Sequence, residues 1–278
     1  NIIETNIIAK LLNSENELAL EKCFKENAVN LVFHAAAYKH VSLVEINPIE
    51  GLKNNLQATK SVCNAAANSN VDKVILISSD KAVKPNNVMG GSKLLSEFIF
   101  KEFANNKEIN TLFSIVRFGN VLDSSGSVIP IFREQIKNGG PITITHPDME
   151  RFLMTISEAV QLVLQASVIT KGGETFILNM GKPVKILEIA KKMIISSGLE
   201  IKDKNNKSGD IEIKEIGIRK GEKLKEELFV NGVIQETIHP LINKAKENLE
   251  IPKDIVLKIE EILLLIKNNN EGDALELF

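Results

Sequence analysis

The sequence is sparing with the features that mark special classes of protein. It has two cysteines in 278 residues, Cys23 and Cys63, far apart and without CxxC spacing. That excludes a disulfide scaffold and a zinc knuckle and leaves both as small buried hydrophobes. Long apolar runs are missing too: stretches such as 74–77 and 262–266 fall far short of the roughly 18 residues a membrane-spanning helix needs. No secretory signal pattern is present. Nor is there a surplus of one charge. Lys and Arg number 34 against 36 Asp and Glu, a net charge of −2, so nothing steers the chain toward nucleic acid or an anionic membrane. What is present is ordinary. With 44% hydrophobic and 25% charged residues, disorder and a collagen-like fibre are excluded, and the length suffices for one core with a smaller appended lobe.

Three short apolar runs rich in β-branched residues, at 31–35, 74–78 and 112–118, alternate with stretches at about 48–68 and 91–105 whose apolar residues recur every three or four positions. Continuous runs suit strands covered on both faces, and the intervening lengths suit crossover helices. The pattern predicts an α/β fold with a doubly wound, Rossmann-like parallel sheet, in which ligands gather at the carboxyl ends of the strands. The unusual residues sit at those ends, in HAAAYKH (34–40), SSDKAVKP (78–85) and RFGNVLDSSGS (117–127). Beyond Gly126 come turns such as Gly139-Gly140-Pro141, a helix announced by the capping box of Thr155 and Glu158, a strand at 175–179 and a helix at about 186–196. The expected organisation is a partial dinucleotide-binding domain over 1–118, then over 119–278 mostly a smaller α/β substrate-binding lobe with elements returning to the sheet. Residues 268–278 read as a frayed tail.

A dinucleotide-binding sheet ordinarily opens with a strand running into GxGxxG, whose glycines admit the pyrophosphate at a helix N-terminus. That motif occurs nowhere here, and only a weak strand at 6–11 precedes residue 31. The first strand, first helix and second strand of such a sheet are then missing, and the chain opens on Asn1 rather than Met. The expectation is an N-terminally truncated copy of a catalytic domain, with an uncovered sheet edge or apolar face and weak binding of any dinucleotide.

The motifs HAAAYKHV, SSDKAVKPNNVMGGSK, RFGNVLDSSGSVIPIF, THPDMERFLMT and GIRKGEKLKEEL together resemble the nucleotide-sugar 4,6-dehydratases of the extended short-chain dehydrogenase/reductase superfamily. The match is to the long, membrane-anchored capsule and glycan type acting on UDP-N-acetylglucosamine, and it spans about residues 7–245. The resemblance implies an NAD cofactor; NADP stays open as the alternative because the discriminating residue after the second strand is absent. It also implies a UDP-sugar substrate, no nucleic-acid partner and a homo-oligomer. The catalytic domain would be cytoplasmic, in a parent anchored to the inner membrane through segments absent from this chain. In that family the nicotinamide oxidises the sugar C4 hydroxyl, water is lost across C5 and C6, and the hydride returns to C6 with no net redox change.

By this resemblance Asp80 protonates the departing C6 hydroxyl, Lys81 handles the C5 proton and Ser79 hydrogen-bonds the C4 oxygen. An ionised Asp cannot donate a proton and a charged Lys cannot accept one, so both depend on their surroundings. Lys93 grips the nicotinamide ribose. Met89, four residues earlier, stands where most of the superfamily has tyrosine, as it does in the long subgroup. A thioether cannot be deprotonated, which leaves Lys81, Lys93 or a water relayed through Ser79 as the C4 base. His34, Ala35, Ala36 and Tyr38 pack on the dinucleotide; Tyr38, the single tyrosine, is an alternative proton acceptor, and Lys39 and His40 lie near the sugar end. Asn120 and Arg219 hold the UDP moiety, and Arg151 is a further candidate for its diphosphate, which a guanidinium can bind bidentately. No metal site is expected, since His34, His40, His146 and His239 are scattered.

The sequence departs from the family twice more. Leu12-Asn13-Ser14 stand where a GDV triplet reads the adenine, and Asp123 replaces the glycine after NVL, near the diphosphate. Two rival readings are a nucleotide-sugar epimerase using NAD and a non-catalytic nucleotide-sugar-binding fragment. The Asp80-Lys81 pair favours elimination, because a C4 epimerase has no leaving group to protonate.

Overall fold

The structure, a computed structural model, describes residues 6–229, 232–247, 252 and 254–278. Residues 6–12 have no regular structure, so the weak strand expected at 6–11 does not form; no strand pairs with it, and Ile7, Ile8 and Leu11 stand exposed. α1 (Glu17–Glu26) is capped by Asn16, whose side chain accepts from the Ala19 N–H, and leads into β1 (Leu31–His34). α2 (Val41–Ile46) and α3 (Pro48–Asn68) carry the chain to β2 (Lys73–Ser79), and α4 (Val88–Asn105) carries it on to β3 (Leu112–Phe118). Pro48 opens α3, where its fixed φ and missing N–H are harmless. β4 (Asn120–Val121), α5 (Val128–Lys137), β5 (Ile142–Ile144), β6 (Glu150–Arg151) and β7 (Leu153–Met154) precede α6 (Ile156–Ile169). There the expected capping box forms: Thr155 Oγ1 accepts from the Glu158 N–H, and Glu158 Oε2 accepts from the Thr155 N–H. β8 (Thr175–Leu178), β9 (Val184–Lys185), α7 (Ile186–Ser196), β10 (Ile201–Lys202), β11 (Ile211–Glu215), β12 (Gly232–Glu236), β13 (Ile242–Glu247), α8 (Ile255–Lys267) and α9 (Glu271–Leu277) follow.

The main sheet runs β1-β2-β3-β8-β13-β12; its first four strands are parallel, and β13 runs antiparallel to both of its neighbours, β8 and β12. Val74, Leu76, Phe113 and Ile115 face one way, onto Leu52 and Leu56 of α3 and Ile259 and Ile262 of α8. Ile75 and Val116 face the other way, onto Leu162 and Ala166 of α6. Because alternate residues of one strand enter two cores, the apolar runs are continuous, and the α/β, Rossmann-like sheet is the expected one. A separate small core around Phe132, Ile142, Ile194 and Ile211 joins α5 and α7 to the three-stranded sheet β10-β11-β5.

β1 is an edge of the main sheet, with Leu31 36% and Phe33 38% exposed. α6 meanwhile turns Ile156, Val160, Leu164 and Val168 to solvent. Among the described residues the sheet thus has an open edge at β1, while the exposed apolar residues of α6 belong to a helix rather than to the sheet. The C-terminal residues depart from expectation: instead of fraying, 271–277 form α9, with Ala274 fully buried and the Phe278 ring packed on Gly91 of α4. The apolar side chains of this segment have a partner surface on α3 and α4, which a reading of local composition does not reveal.

Candidate active site

β2 ends at Ser79, and the chain turns at once into a single helical turn, Asp80–Ala82, capped by that serine. Ser79 Oγ accepts from the Lys81 N–H at 3.2 Å and donates to Asp80 Oδ1 at 2.8 Å. Asp80 is fully buried. Lys81 Nζ lies 2.9 Å from Asp80 Oδ1, 3.2 Å from Asn120 Oδ1 and 3.7 Å from Glu226 Oε1. Asn120 comes from β4, just beyond the end of β3, so two neighbouring strand ends build one cluster. Asp80 Oδ2 and Glu226 Oε2 are buried without a hydrogen-bond donor among the described residues.

α4 closes the cluster from below. A Cβ on Gly90 would sit 2.4 Å from the Lys81 carbonyl oxygen, so glycine is what lets the helix start this close to the turn. Met89 and Lys93 follow on the same helix, both buried. Lys93 Nζ donates to the Ile77 carbonyl at 2.7 Å, and burial pushes its ammonium down to about 8 against an opposing pull from Glu97. Glu97 itself is saturated: Arg117 donates to it from Nε at 2.7 Å and Nη2 at 2.5 Å, and Ser78 Oγ donates at 2.5 Å. Burial alone would raise the Glu97 carboxyl, but the charge and hydrogen bonds of Arg117 more than reverse that and leave it below the usual range.

The loop after β1 reaches the same edge. The His34 side chain points into the core, bonded to Thr59 at 3.1 Å and stacked on Phe100; burial, then the Lys93 charge, push it down to about 3. Ala35 and Ala36 are exposed, as are Tyr38, Lys39 and His40. The His40 ring lies so close to Gly126 that a Cβ there would sit 2.5 Å from it, at a φ of +69° that itself favours glycine. The loop is pinned by Asn55, whose side chain accepts from the Tyr38 N–H at 2.7 Å and donates to its carbonyl at 3.1 Å and to Ser92 Oγ at 2.9 Å.

Residues 217–228 run as a strap across this edge. Gly221 carbonyl accepts from Asn87 Nδ2 at 2.9 Å, Lys223 Nζ donates to the carbonyls of Val83 and Lys84, and Lys220 pairs with Glu45 at 3.6 Å. Arg219 is exposed; its backbone N–H donates to Glu222 Oε2 at 3.2 Å and its carbonyl accepts from the Glu222 N–H at 3.0 Å. Arg151 is buried and donates to the carbonyls of Glu150 and Leu224, so it fastens the strap. Asp123 pairs with Arg133 at the surface. The structure thus gathers Ser79, Asp80, Lys81 and Asn120 into one cluster, sets Met89, Lys93 and the 34–40 loop around it, and leaves Arg219 apart on the strap. Sequence reading missed Asn55 and Glu226. The second belongs to the KLKEEL motif, but nothing local distinguishes it from its neighbour Glu227.

A largely parallel sheet covered by helices, with polar residues gathered at its carboxyl ends, is a doubly wound, Rossmann-like architecture. The chain belongs to the polysaccharide biosynthesis protein family, whose profile matches residues 1–247. It is 45% identical over 258 residues to the capsular polysaccharide biosynthesis protein CapD of Staphylococcus aureus, covering 92% of this chain and 41% of that protein. It is 49% identical over 223 residues to the probable polysaccharide biosynthesis protein EpsC of Bacillus subtilis, covering 80% and 36%. A UDP-glucose 4-epimerase of Rickettsia rickettsii is 41% identical over 203 residues, covering 73% of this chain and 56% of that one. The chain therefore spans less than half the length of the first two relatives. Among solved structures, Pen from Bacillus thuringiensis superposes with a TM-score of 0.78 at 34% identity, covering 95% of this chain and 82% of that one. DesIV, a dTDP-glucose 4,6-dehydratase from Streptomyces venezuelae solved with NAD bound, shares the fold at a TM-score of 0.68 and 17% identity, covering 78% and 69%.

Proposed function

We propose that the protein is a UDP-N-acetylglucosamine 4,6-dehydratase, a lyase serving capsule, lipopolysaccharide or glycan synthesis. The observation that carries this reading is the cluster at the end of β2, where Asp80 Oδ1 lies 2.8 Å from Ser79 Oγ and 2.9 Å from Lys81 Nζ, with Asn120 beside the amine at 3.2 Å. Ser79 holds the sugar C4 oxygen. Asp80 delivers a proton to the C6 hydroxyl, and its free Oδ2 is the oxygen available to carry it. Lys81 removes the C5 proton, so that acid and base act on adjacent carbons from adjacent residues. Asn120 fixes the Lys81 amine in place. Lys93, brought to about 8, is the group able to relay the C4 proton near neutral pH, since Met89 has no proton to exchange. Arg219 and Arg151 serve the diphosphate, Arg219 by contact and Arg151 through the strap.

The exposed small residues Ala35 and Ala36, with Lys93 behind them, fit the nicotinamide-ribose end of NAD, as do the 34–40 loop and the buried His34 that supports it. When bound, NAD supplies the hydride acceptor and donor that this chemistry needs. Among the described residues no helix is long and apolar enough to cross a membrane, and membrane anchorage of a cytoplasmic catalytic domain would come from elsewhere in a longer polypeptide.

A second reading, a 4-epimerase, draws on the similarity to the Rickettsia protein. Incubation of this chain and of the full-length protein with UDP-N-acetylglucosamine and NAD, followed by mass spectrometry, separates the two. Loss of one water from the sugar nucleotide supports the dehydratase; a product of unchanged mass with inverted C4 supports the epimerase; no product from either form overturns both.

A further inference from the structure

The strap that carries Arg219 ends in two adjacent carboxylates that the fold treats oppositely. Glu227 is half exposed and pairs with the equally exposed Lys84 at 3.0 Å. The Glu226 side chain is 3% exposed, its Oε1 is 3.7 Å from Lys81 Nζ, and its Oε2 has no donor among the described residues. Burying a carboxylate this way is costly, so its placement is imposed from outside. The anchors lie just before it: the Leu224 carbonyl accepts from the Glu150 N–H at 3.0 Å and from Arg151 at 3.2 Å, and Lys223 donates to the Val83 and Lys84 carbonyls at 2.8 and 2.7 Å.

Lys81 has three N–H bonds to place. Asp80 and Asn120 take two, at 2.9 and 3.2 Å, and Glu226 faces the amine at ion-pair distance. We propose that Glu226 is a positioning residue, which holds the Lys81 amine between Asp80 and Asn120 and so links the strap to the group that moves the C5 proton. The proposal rests on the dehydratase reading for the role of Lys81, but the placement of Lys81 can be measured without any substrate. Asp80 from its own turn and Glu226 from the strap are the carboxylates within 4 Å of that amine among the described residues. Removing the carboxylate of Glu226 takes away one of the groups that face the amine and leaves it less confined.

The test uses Glu226→Gln, Glu226→Asp and Glu227→Gln in the full-length protein, with two readouts. In turnover of UDP-N-acetylglucosamine with NAD, Glu226→Gln is expected to lower kcat roughly 10-fold or more, with KM and thermal midpoint nearly unchanged, as for a misplaced reacting group. Glu226→Asp recovers part of that loss, and Glu227→Gln changes nothing. In competitive acetylation with acetic anhydride, read by peptide mass spectrometry without substrate, Lys81 labelling relative to the exposed Lys107 rises several-fold in Glu226→Gln and stays at the wild-type level in Glu227→Gln. Wild-type kcat in Glu226→Gln, or unchanged Lys81 labelling, overturns the proposal. A wild-type protein that forms no dehydrated sugar overturns the dehydratase reading instead, and the labelling still decides whether Glu226 governs Lys81. If Glu226→Gln does not fold, Glu226→Asp read in the same two ways decides, since a displaced carboxylate alters both kcat and labelling if Glu226 sets the amine.

Discussion

Two buried ionic clusters sit one residue apart at the end of β2, and they are built to different standards. Around Ser78, Glu97 is satisfied by Arg117 through two charge-assisted bonds and by a hydroxyl. Around Ser79, Asp80 and Glu226 share one lysine, and each keeps a buried oxygen without a donor among the described residues. Alternation along the strand explains the split: Ser78 faces the same side as Val74 and Leu76, and Ser79, at the strand's carboxyl end, faces the side of Ile75. The saturated cluster is what a fold needs in order to bury charge; the unsaturated one is what a site needs in order to engage something else.

The comparison can be broken from either side. Arg117→Ala should have the largest effect on stability, a loss on the order of 3–5 kcal/mol in denaturant unfolding, because it strands a fully buried Glu97. Asp80→Asn should do the reverse, lowering kcat by roughly 10²-fold or more while the unfolding midpoint stays close to wild type. Retention of full turnover by that variant would remove Asp80 from the mechanism.

Two buried bases next to the clusters give pH-dependent signatures. His34 is held at about 3 against an ordinary 6.5, so the unfolded chain binds the extra proton and stability falls as pH drops from 6.5 toward 3. In parallel urea titrations His34→Gln should lack that component of the acid loss. Lys93, at about 8 against 10.5, is also held low; the unfolded chain again binds more protons, and wild-type stability should rise relative to Lys93→Met as pH climbs from 8 to 10.5. The amplitude is on the order of 3 kcal/mol, and a flat difference across that window would mean the amine is not held low. The smallest effect belongs to the exposed Lys84–Glu227 pair, where Glu227→Gln should leave the thermal midpoint unchanged.

Much of this was legible because it is local. The three parallel strands, the crossover helices and the Thr155–Glu158 capping box are written in periodicity and in hydrogen bonds spanning three residues. The tail was misread because α9 is held by Ala274 and Phe278 against distant helices, and the strand at 6–11 was misread because β-forming side chains without a pairing partner do not make a strand. Asn55 looked like any polar residue of α3 until the fold set it against Tyr38.

The order Ser79, Asp80, Lys81 at the end of an apolar strand by itself determined that a hydroxyl, an acid and an amine would meet, since a strand-to-turn junction leaves consecutive side chains within reach of one another. Only the tertiary structure decided which of those groups would stay unsatisfied and who would face them. Asn120 and Glu226 come from distant parts of the chain, and a long-range contact depends on how strands register and where a strap is anchored, quantities that no short stretch of sequence contains.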